Sequence, residues 1–178
     1  YAEAVRAKAA GCTDEKRLAE LKRIASNLDW IADNPARDFW EACQAYQTYQ
    51  MFVYMFSRMP ALALGRFDQI TWPYLKKDLE EGKITEEFAQ EIVDTFFLKV
   101  GCYYGPGPAK LVDTTGIGNT YQHTTLGGVD PATGEDATNP ITYMVLETVG
   151  RLRLHDPTIS LRFNKNSPDK LWDCAIAT

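Results

Sequence analysis

One predicted helix constrains the fold of this chain more than any other stretch of its sequence. Thr85 is a suitable N-cap, because its hydroxyl can accept a hydrogen bond from the free amides of a first helical turn. Glu86 and Glu87 follow, where negative charge stabilises the positive end of a helix. Apolar residues then recur at helical spacing and a glycine ends the run: Phe88, Ile92, Val93, Phe96, Phe97, Val100 and Gly101. The pattern predicts a helix over residues 85–100, and we expect its wide apolar face to be buried against other helices.

The residues N-terminal to this helix are also predicted to be largely helical. Residues 2–31 have a helical pattern with a break at residues 11–13. Asn34 and Pro35 predict the next start, with Asn34 as the cap and Pro35 at the first helical position. That helix spans residues 36–56 and carries aromatic residues on several faces, so we expect it to be buried between layers of a larger protein.

Residues 60–82 connect the helix predicted over residues 36–56 to the helix predicted over residues 85–100. Pro60 ends the earlier helix, because proline disfavours a helical conformation in the residue before it. The sequence then predicts a turn at Gly65 and Arg66, a rigid aromatic segment at residues 72–74, and a charged segment up to Gly82.

The second half of the chain alternates predicted strands and helices. Strands are predicted over residues 120–129, which glycines bound, and over residues 158–163, where apolar and polar residues alternate. Residues 130–135 have turn chemistry, and helices are predicted to start where Asn139 and Ser167 each precede a proline. This order indicates an α/β fold, either a barrel or an open sheet.

Composition and charge exclude several classes of protein. The net charge of −5 argues against a general nucleic-acid surface, no apolar run reaches membrane-spanning length, and no secretory signal pattern opens the sequence. The glycines near residue 118 lack the lysine of a P-loop and a complete dinucleotide fingerprint, so no nucleotide site is predicted. The cysteines are widely spaced, so we expect free thiols in a reducing cytoplasm and neither a disulfide nor a metal site: Cys12, Cys43, Cys102 and Cys174.

Three blocks of the sequence carry longer motifs. The first is N-P-A-R-D-F-W-E-A-C-Q at residues 34–44. The second combines G-R-F-D-Q at residues 65–69 with K-I-T-E-E-F-A-Q at residues 83–90. The third runs from the Gly-Gly pair at residue 127 to R-L-R-L-H-D-P-T-I-S-L-R, which ends at residue 162. Together these blocks resemble the glycyl radical enzymes, the superfamily of pyruvate formate-lyase and the radical dehydratases.

The resemblance implies a fold. Members of the superfamily form a ten-stranded α/β barrel, made of two half-barrels and surrounded by helices. We expect this chain to be a mostly helical fragment of the N-terminal half of one such pyruvate formate-lyase-like domain. It would be helical over residues 1–58, contain the G-R-F-D-Q turn and a helix over residues 59–101, and supply barrel strands and helices over residues 109–178. The chain opens on Tyr1 and ends inside a predicted helix, in agreement with that expectation.

The resemblance also implies a reaction. In the superfamily, a glycyl radical near the C-terminus moves to a cysteine in a central loop, and the resulting thiyl radical abstracts a substrate hydrogen inside a water-poor cavity. The implied activity is radical cleavage or formation of a C–C, C–O, C–N or C–S bond in a small organic substrate, of the lyase or acyltransferase type. None of the four cysteines matches the radical-cysteine context, and no R-V-x-G-like segment is present. We therefore expect the catalytic cysteine and glycine in the remainder of the same polypeptide.

The same resemblance implies the partners. No cofactor would bind this chain directly. A separate activating enzyme, which uses an iron–sulfur cluster and S-adenosylmethionine, would install the glycyl radical. The setting would be an anaerobic cytoplasm, and the enzyme would be a homodimer.

What this chain would supply is part of the wall of the substrate cavity. In pyruvate formate-lyase an aromatic residue ahead of the Gly-Gly pair lines that cavity, and by resemblance Tyr121 holds this position. Because strand side chains alternate, His123 and Thr125 share the face of Tyr121, while Gln122 and Thr124 point at the helices. His123 would carry a proton or donate a hydrogen bond to a substrate oxygen. A histidine that is satisfied by neighbouring backbone groups fits the pattern equally well.

Pro60 and Ala61 are the second pair of predicted substrate-binding residues. Members of the superfamily place small residues or a His-Ser pair just before the Gly-Arg turn, facing the substrate. Radical diol dehydratases have the polar pair, whereas this chain has Met-Pro-Ala-Leu at residues 59–62. The difference argues against a polyol substrate and favours a flatter or more apolar one, because nothing there replaces the hydrogen bonds to hydroxyl groups.

Other functions stay open at this point. Within the superfamily, the alternatives are a radical arylacetate decarboxylase and a succinate-adding synthase. Outside it, the alternative is a non-catalytic helical binding module, in which the aromatic residues of the helix over residues 36–56 line a groove for a partner.

Overall fold

The computed structural model describes residues 1–57, 63–102, 122–154 and 156–178. Within these ranges the chain forms helices and a small sheet. The helices are α1 (Ala2–Ala10), α2 (Glu15–Ile31), α3 (Phe39–Ser57), α4 (Phe67–Glu80), α5 (Glu86–Gly101), α6 (Pro140–Leu152) and α7 (Asp169–Ala177). The strands are β1 (Ala63–Gly65), β2 (His123–Gly127) and β3 (Thr158–Arg162). None of the described helices is both long and apolar enough to cross a membrane.

The predicted break in the N-terminal helical region is confirmed. It separates α1 from α2, and Asp14 lies between the two helices with an extended backbone. The carboxylate of Asp14 accepts a hydrogen bond from the N–H of Arg17 at 2.6 Å, so Asp14 is the N-cap of α2. Leu21 and Ala25 are the buried apolar residues of α2, which packs against α1 and α3.

The predicted helix start at Asn34 and Pro35 is wrong. α3 begins after Asp38, whose carboxylate accepts a hydrogen bond from the N–H of Glu41 at 2.9 Å, as an N-cap does. Asn34 and Pro35 instead close the end of α2. The indole N–H of Trp30 donates to the carbonyl of Pro35 at 2.8 Å, and Asn34 Nδ2 donates to the carbonyl of Trp30 at 3.1 Å. The Asn-Pro pair therefore belongs to the connection between α2 and α3, and the N-cap of α3 is Asp38, four residues after Asn34.

The burial of α3 changes along its length. Its first turns enter the core, where Phe39 and Cys43 are buried. In its second half, Tyr49 is 67% exposed and Phe56 is 80% exposed. The predicted burial of this helix on several faces is therefore not observed for its second half within the described residues.

The aromatic segment at residues 72–74 lies inside a helix. Pro73 is an internal residue of α4, where its missing N–H removes one helical hydrogen bond. The helix nevertheless continues, because its buried face contains Phe67 and Leu75, both fully inaccessible to solvent. Tertiary packing here outweighs the local cost of proline.

α5 confirms the predicted helix and most of its buried face. Thr85 is the N-cap, and its hydroxyl accepts a hydrogen bond from the N–H of Phe88 at 3.2 Å. Phe96 and Phe97 are buried and pack on Phe67, with ring centroids 4.6 Å and 5.3 Å away. Phe88 is 38% exposed, so the expected burial is wrong at this position, which lies in the first turn of the helix.

The strands form a parallel sheet in the order β1-β2-β3. β2 and β3 pair continuously from His123 opposite Thr158 to Gly127 opposite Arg162, and the register of β1 shifts by a bulge. The helix-facing residues of the sheet are part of the core: Leu64, Leu126, Ile159 and Leu161. β2 confirms the central part of the strand predicted over residues 120–129, whose first two residues lie outside the described ranges, and β3 confirms the second strand. Parallel strands with helices packed on one face are an α/β arrangement. The ten-stranded barrel stays a prediction.

The predicted start of α6 is confirmed as a capping box. Asn139 Oδ1 accepts a hydrogen bond from the N–H of Ile141 at 3.0 Å, and Thr142 Oγ1 accepts one from the N–H of Asn139 at 3.1 Å. The predicted turn before α6 is confirmed too, since Asp130 Oδ1 accepts a hydrogen bond from the N–H of Ala132 at 2.8 Å. The last predicted helix, α7, begins directly after Pro168.

Replacing Phe96 with alanine should lower the free energy of unfolding by about 3–5 kcal/mol, the usual cost of removing a buried phenylalanine ring. Phe88→Ala is the matched control, because it removes the same ring from an exposed position of the same helix, and it should cost about 1 kcal/mol or less. Urea unfolding of both variants, followed by helical circular dichroism, measures the difference. Equal losses would contradict the burial of this face.

The junction of α5 and α6 should make part of the stability depend on pH. Burial alone would raise the pKa of Asp94, but hydrogen bonds from Thr148 and Gln90 and the charge of Arg151 outweigh it and lower that pKa. The ionised carboxylate therefore stabilises the fold above the ordinary aspartate pKa of about 4, and this contribution disappears as the pH falls through the lowered pKa. Asp94→Asn should lower the Tm at neutral pH and reduce the further loss on acidification, as thermal unfolding across a pH series would measure. An acid-induced loss as large as that of the wild type would argue against this assignment.

Candidate functional site

Polar side chains gather on the sheet face that the described helices leave uncovered. His123 and Thr125 lie on this face of β2, and Ser160 lies beside them on β3, because paired residues of parallel strands share a face. All three side chains are half-buried. His123 Nε2 lies 2.6 Å from Ser160 Oγ, so the imidazole and the hydroxyl share a hydrogen bond. The imidazole thus has a side-chain partner on the neighbouring strand, and its predicted role toward a substrate stays a prediction.

The opposite face of β2 is packed against helices. Gln122 and Thr124 are both buried, as the predicted alternation requires. Gln122 Nε2 donates to the carbonyl of Val100 in α5 at 3.3 Å, and the side-chain oxygen of Gln122 accepts a hydrogen bond from Gln50 of α3. These bonds hold the residue just before β2 against the helices, and Thr124 donates to the carbonyl of Gly65 in β1 at 3.1 Å. His123 and Thr125 point to the other face and are half-buried.

Some of the predicted site residues lie outside the described residues. These are Tyr121, Pro60 and Ala61. Their predicted roles stay predictions. Of the five predicted substrate-binding residues, the structure describes His123 and Thr125 and places them on one face.

β2 ends in a bend at Gly127 and Gly128, whose φ angles are 65° and 88°. Residues with a side chain rarely adopt such angles. A Cβ atom on Gly127 would lie 3.0 Å from the carbonyl oxygen of Arg162, and one on Gly128 would lie 3.4 Å from the Cβ of Arg162. The N–H of Gly128 also donates to the carbonyl of Arg162 at 2.9 Å. The bend therefore lies directly against the end of β3. A Cβ at Gly127 would crowd the Arg162 carbonyl, and at Gly128 the positive φ is what favours glycine.

Two residues that sequence reasoning missed hold this bend. Asp68 Oδ2 accepts hydrogen bonds from the N–H of Gly127 and from Thr142 Oγ1, each at 2.7 Å. Arg66 donates from Nη2 to the carbonyl of Gly127 at 2.6 Å and from Nη1 to the carbonyl of Val129 at 3.3 Å. Burial raises the pKa of Asp68, although the hydrogen bonds from Gly127 and Thr142 oppose that rise. The sequence did contain a signal, because the G-R-F-D-Q motif has two charged residues in a segment that was predicted only as a turn. No hydrogen-bond partner was predicted for either of them.

Arg162 lies at the carboxyl end of β3, on the same face as Ser160 and His123. Its side chain is exposed, and within the described ranges no carboxylate forms an ion pair with it. In α/β sheets, ligands bind outside the carboxyl ends of the strands. The face therefore has a guanidinium at its carboxyl edge and the His123–Ser160 pair further toward the amino end of β2. A guanidinium at such an edge suits a small anionic ligand.

A second concave region lies between α2, α3 and α5. It encloses about 570 Å³, and its apolar lining includes Trp40, Cys43, Ile92 and Phe96. Burial raises the pKa of the Cys43 thiol, which keeps it protonated and unreactive. Because its lining is largely apolar and its cysteine is unreactive, this cleft is more suitable for packing against another surface than for a reaction.

All four cysteines are free thiols, as predicted. Cys43 is buried, Cys12 and Cys174 are half-buried, and Cys102 is exposed. Among the residues that the structure describes, no cluster of three histidine, cysteine, aspartate or glutamate side chains is arranged to hold a metal ion.

A sequence profile of pyruvate formate lyase-like proteins matches residues 1–178. The chain belongs to the pyruvate formate lyase-like family of glycyl radical enzymes. The fold places the motifs at residues 65–69 and 127–162 in contact at the Gly-Gly bend.

Curated members of this family are similar over nearly the whole chain. The isethionate sulfite-lyase of Desulfovibrio desulfuricans (strain ATCC 27774 / DSM 6949 / MB) is 38% identical over 178 residues, which cover 92% of this chain and 20% of that protein. The (2S)-3-sulfopropanediol dehydratase of Klebsiella oxytoca is 30% identical over 177 residues, which cover 96% of this chain and 21% of that protein. The chain therefore spans about a fifth of the length of the curated relatives it matches.

A solved structure shows the same arrangement of elements. The glycerol-bound form of the B12-independent glycerol dehydratase from Clostridium butyricum matches with a TM-score of 0.89 and 30% identity. The match covers 99% of this chain and 22% of that chain. The described helices and strands of the present chain are therefore arranged as in part of that dehydratase.

Gly127→Ala should lower the free energy of unfolding more than Gly134→Ala does. Both glycines have a positive φ, 65° and 74°, at which alanine costs about 1 kcal/mol. A Cβ at Gly134 would meet nothing within 4 Å, whereas at Gly127 it would press on the carbonyl of Arg162, and such overpacking adds about 1–3 kcal/mol. Urea unfolding of the two variants tests this, and equal costs would contradict the close packing of the bend on β3.

Proposed function

We propose that this chain forms part of the substrate-cavity wall of a glycyl radical lyase that acts on a small organic anion. The observation that carries the proposal is one face of the sheet, which has Arg162 at its carboxyl edge and the His123–Ser160 pair toward the amino end of β2. The relatives support an anionic substrate, because isethionate and sulfopropanediol both carry a sulfonate group. A sulfonate is therefore the favoured substrate class.

Arg162 has the chemistry to recognise such a group. A guanidinium offers parallel N–H donors that match two oxygens of a sulfonate or carboxylate, and the charge strengthens both hydrogen bonds. Within the described residues its charge is not neutralised by an acidic side chain. A barrel that excluded water around this edge would strengthen the attraction further.

The His123–Ser160 pair would act on the polar end of the substrate. The imidazole can donate a hydrogen bond to a hydroxyl oxygen or carry a proton, and the Ser160 hydroxyl holds the ring in place through its 2.6 Å contact. The orienting hydrogen bond leaves the second ring nitrogen for the substrate. We therefore assign this pair a binding and proton-carrying role in the wall.

The bond that breaks distinguishes two candidate reactions. C–S cleavage with release of sulfite is favoured, because the sulfite-lyase relative has the higher identity, 38% against 30% for the sulfopropanediol dehydratase. C–O cleavage in a sulfonate substrate is the second candidate, supported by that dehydratase. Both reactions use the same anion contact at Arg162.

The remaining expectations about the whole enzyme are part of this proposal. The catalytic cysteine and the radical glycine would come from the rest of a single pyruvate formate-lyase-like domain, and a ten-stranded barrel would enclose the cavity. Tyr121, Pro60, Ala61 and Thr125 would complete this part of the wall. An activating enzyme with an iron–sulfur cluster and S-adenosylmethionine would generate the radical, and a homodimer in an anaerobic cytoplasm is the proposed setting. The Pro60-Ala61 pair fits a substrate other than a polyol.

Arg162→Gln in the full-length, activated enzyme should raise the KM for isethionate by about tenfold or more, because it removes a charge-assisted contact to the anion. Arg153→Gln is the control, since Arg153 is also an exposed arginine but lies at the end of α6, away from the sheet. The KM should change in the first variant alone. The glycyl radical yield, read by electron paramagnetic resonance, should stay near that of the wild type in both.

The same assay tests the other wall residues. His123→Ala and Tyr121→Ala should lower turnover while the radical yield is kept. Unchanged kinetics in the Arg162, His123 and Tyr121 variants would show that this face of the sheet does not line the substrate cavity. The non-catalytic binding module would be supported if the full-length protein formed no glycyl radical with its activating enzyme.

A further inference from the structure

We propose that Arg66 and Asp68 are positioning residues that lock the Gly127–Gly128 bend and thereby set the position of Arg162 in the substrate cavity. The inference rests on the proposed function, because it assumes that Arg162 contacts the substrate anion. It assigns a role to the two charged residues of the G-R-F-D-Q motif, which do not themselves lie on the open face of the sheet.

Asp68 joins three elements through one carboxylate. It is fully buried at the start of α4, and its Oδ2 receives the N–H of Gly127 at the end of β2 and the hydroxyl of Thr142 in the first turn of α6. Its Oδ1 receives the N–H of Gln69 at 2.8 Å. A buried carboxylate with several donors is held in one orientation, because each lost hydrogen bond would leave a polar group unsatisfied.

Arg66 binds carbonyl groups of the same bend. Its two guanidinium hydrogen bonds end on the carbonyls of Gly127 and Val129, on either side of Gly128. Gly127 is therefore bound at its N–H by Asp68 and at its carbonyl by Arg66. Glycine would otherwise be the most mobile residue at the end of a strand, so these bonds select one conformation from many.

The locked bend determines where Arg162 can lie. Gly128 donates its N–H to the carbonyl of Arg162, and a Cβ on Gly128 would lie 3.4 Å from Cβ and 3.5 Å from Cδ of the Arg162 side chain. The base of that side chain thus rests on the backbone of the bend. A shift of the bend would move the guanidinium, and misplacing a binding group by about 1 Å is enough to weaken function strongly.

The test compares Asp68→Asn with Asp94→Asn in the full-length enzyme before activation. Asp94 is the matched control, because it also joins a helix to a threonine of α6 through a carboxylate, but it lies at the α5–α6 junction. The readouts are the Kd for isethionate by calorimetry and hydrogen exchange of the amides at residues 127–129. We expect Asp68→Asn to weaken isethionate binding by about tenfold and to speed exchange at the bend, since a charge-assisted hydrogen bond to Gly127 is weakened. Asp94→Asn should change neither quantity.

A second pair of variants covers the case in which Asp68→Asn does not fold. Thr142→Val removes the hydroxyl that orients Asp68, and Thr142→Ser keeps it. The valine variant should show the same weaker binding and faster exchange, and the serine variant should restore both toward wild-type values.

Each outcome decides between the possibilities. Faster exchange with an unchanged Kd would overturn the positioning role and leave a purely structural one. Unchanged exchange would overturn the lock itself. If the wild type binds no isethionate, the proposed substrate class fails separately. The inference would then be judged on exchange at the bend and on the KM for whichever substrate the activated enzyme turns over.

Discussion

The packing of Phe67 against Phe96 and Phe97 is the contact on which the rest of the structure depends. Phe67 opens α4 and is fully buried, so it fixes where that helix meets the sheet. The ring of Tyr46 from α3 lies 5.8 Å from Phe67, and its hydroxyl donates to the carbonyl of Leu64 in β1. Aromatic residues from α3, α4 and α5 thus meet behind the sheet. This packing holds the two charged neighbours of Phe67 in the chain at the end of β2.

Two buried carboxylates, Asp78 and Glu41, form hydrogen bonds or ion pairs around this core. Burial raises the pKa of Asp78, a residue of α4 whose carboxylate accepts the N–H of Phe39 at 2.7 Å at the start of α3. Burial also opposes ionisation of Glu41, yet hydrogen bonds and charge from Arg37, with the charge of Arg23, lower the pKa of that carboxyl. Each carboxylate satisfies donors that the apolar core cannot satisfy. The helical layer is therefore bonded together on the side of the sheet opposite the candidate site.

Local signals predicted much of the secondary structure correctly. Thr85 and Asn139 cap their helices as expected, because a cap needs only a side-chain oxygen and the next turn of backbone. The same kind of signal was wrong at Asn34, where Asp38 offers a later cap. The rigid aromatic segment that was expected around Pro73 lies inside α4. At Asn34 a competing local cap decided the outcome, whereas at Pro73 the burial of the α4 face did.

The sequence by itself determined the starts of α5, α6 and α7, the alternation of β2 and the family, because these depend on neighbouring residues or on motifs read directly. Only the tertiary structure decided which polar groups meet. Asp68 and Gly127 are 59 positions apart in the chain, and no spacing rule connects them. The position of Arg162 on the same sheet face as the His123–Ser160 pair likewise follows from the register of β2 and β3. Partners of this kind are selected by the burial of the whole core, which makes an unpaired polar group costly wherever it lies in the sequence.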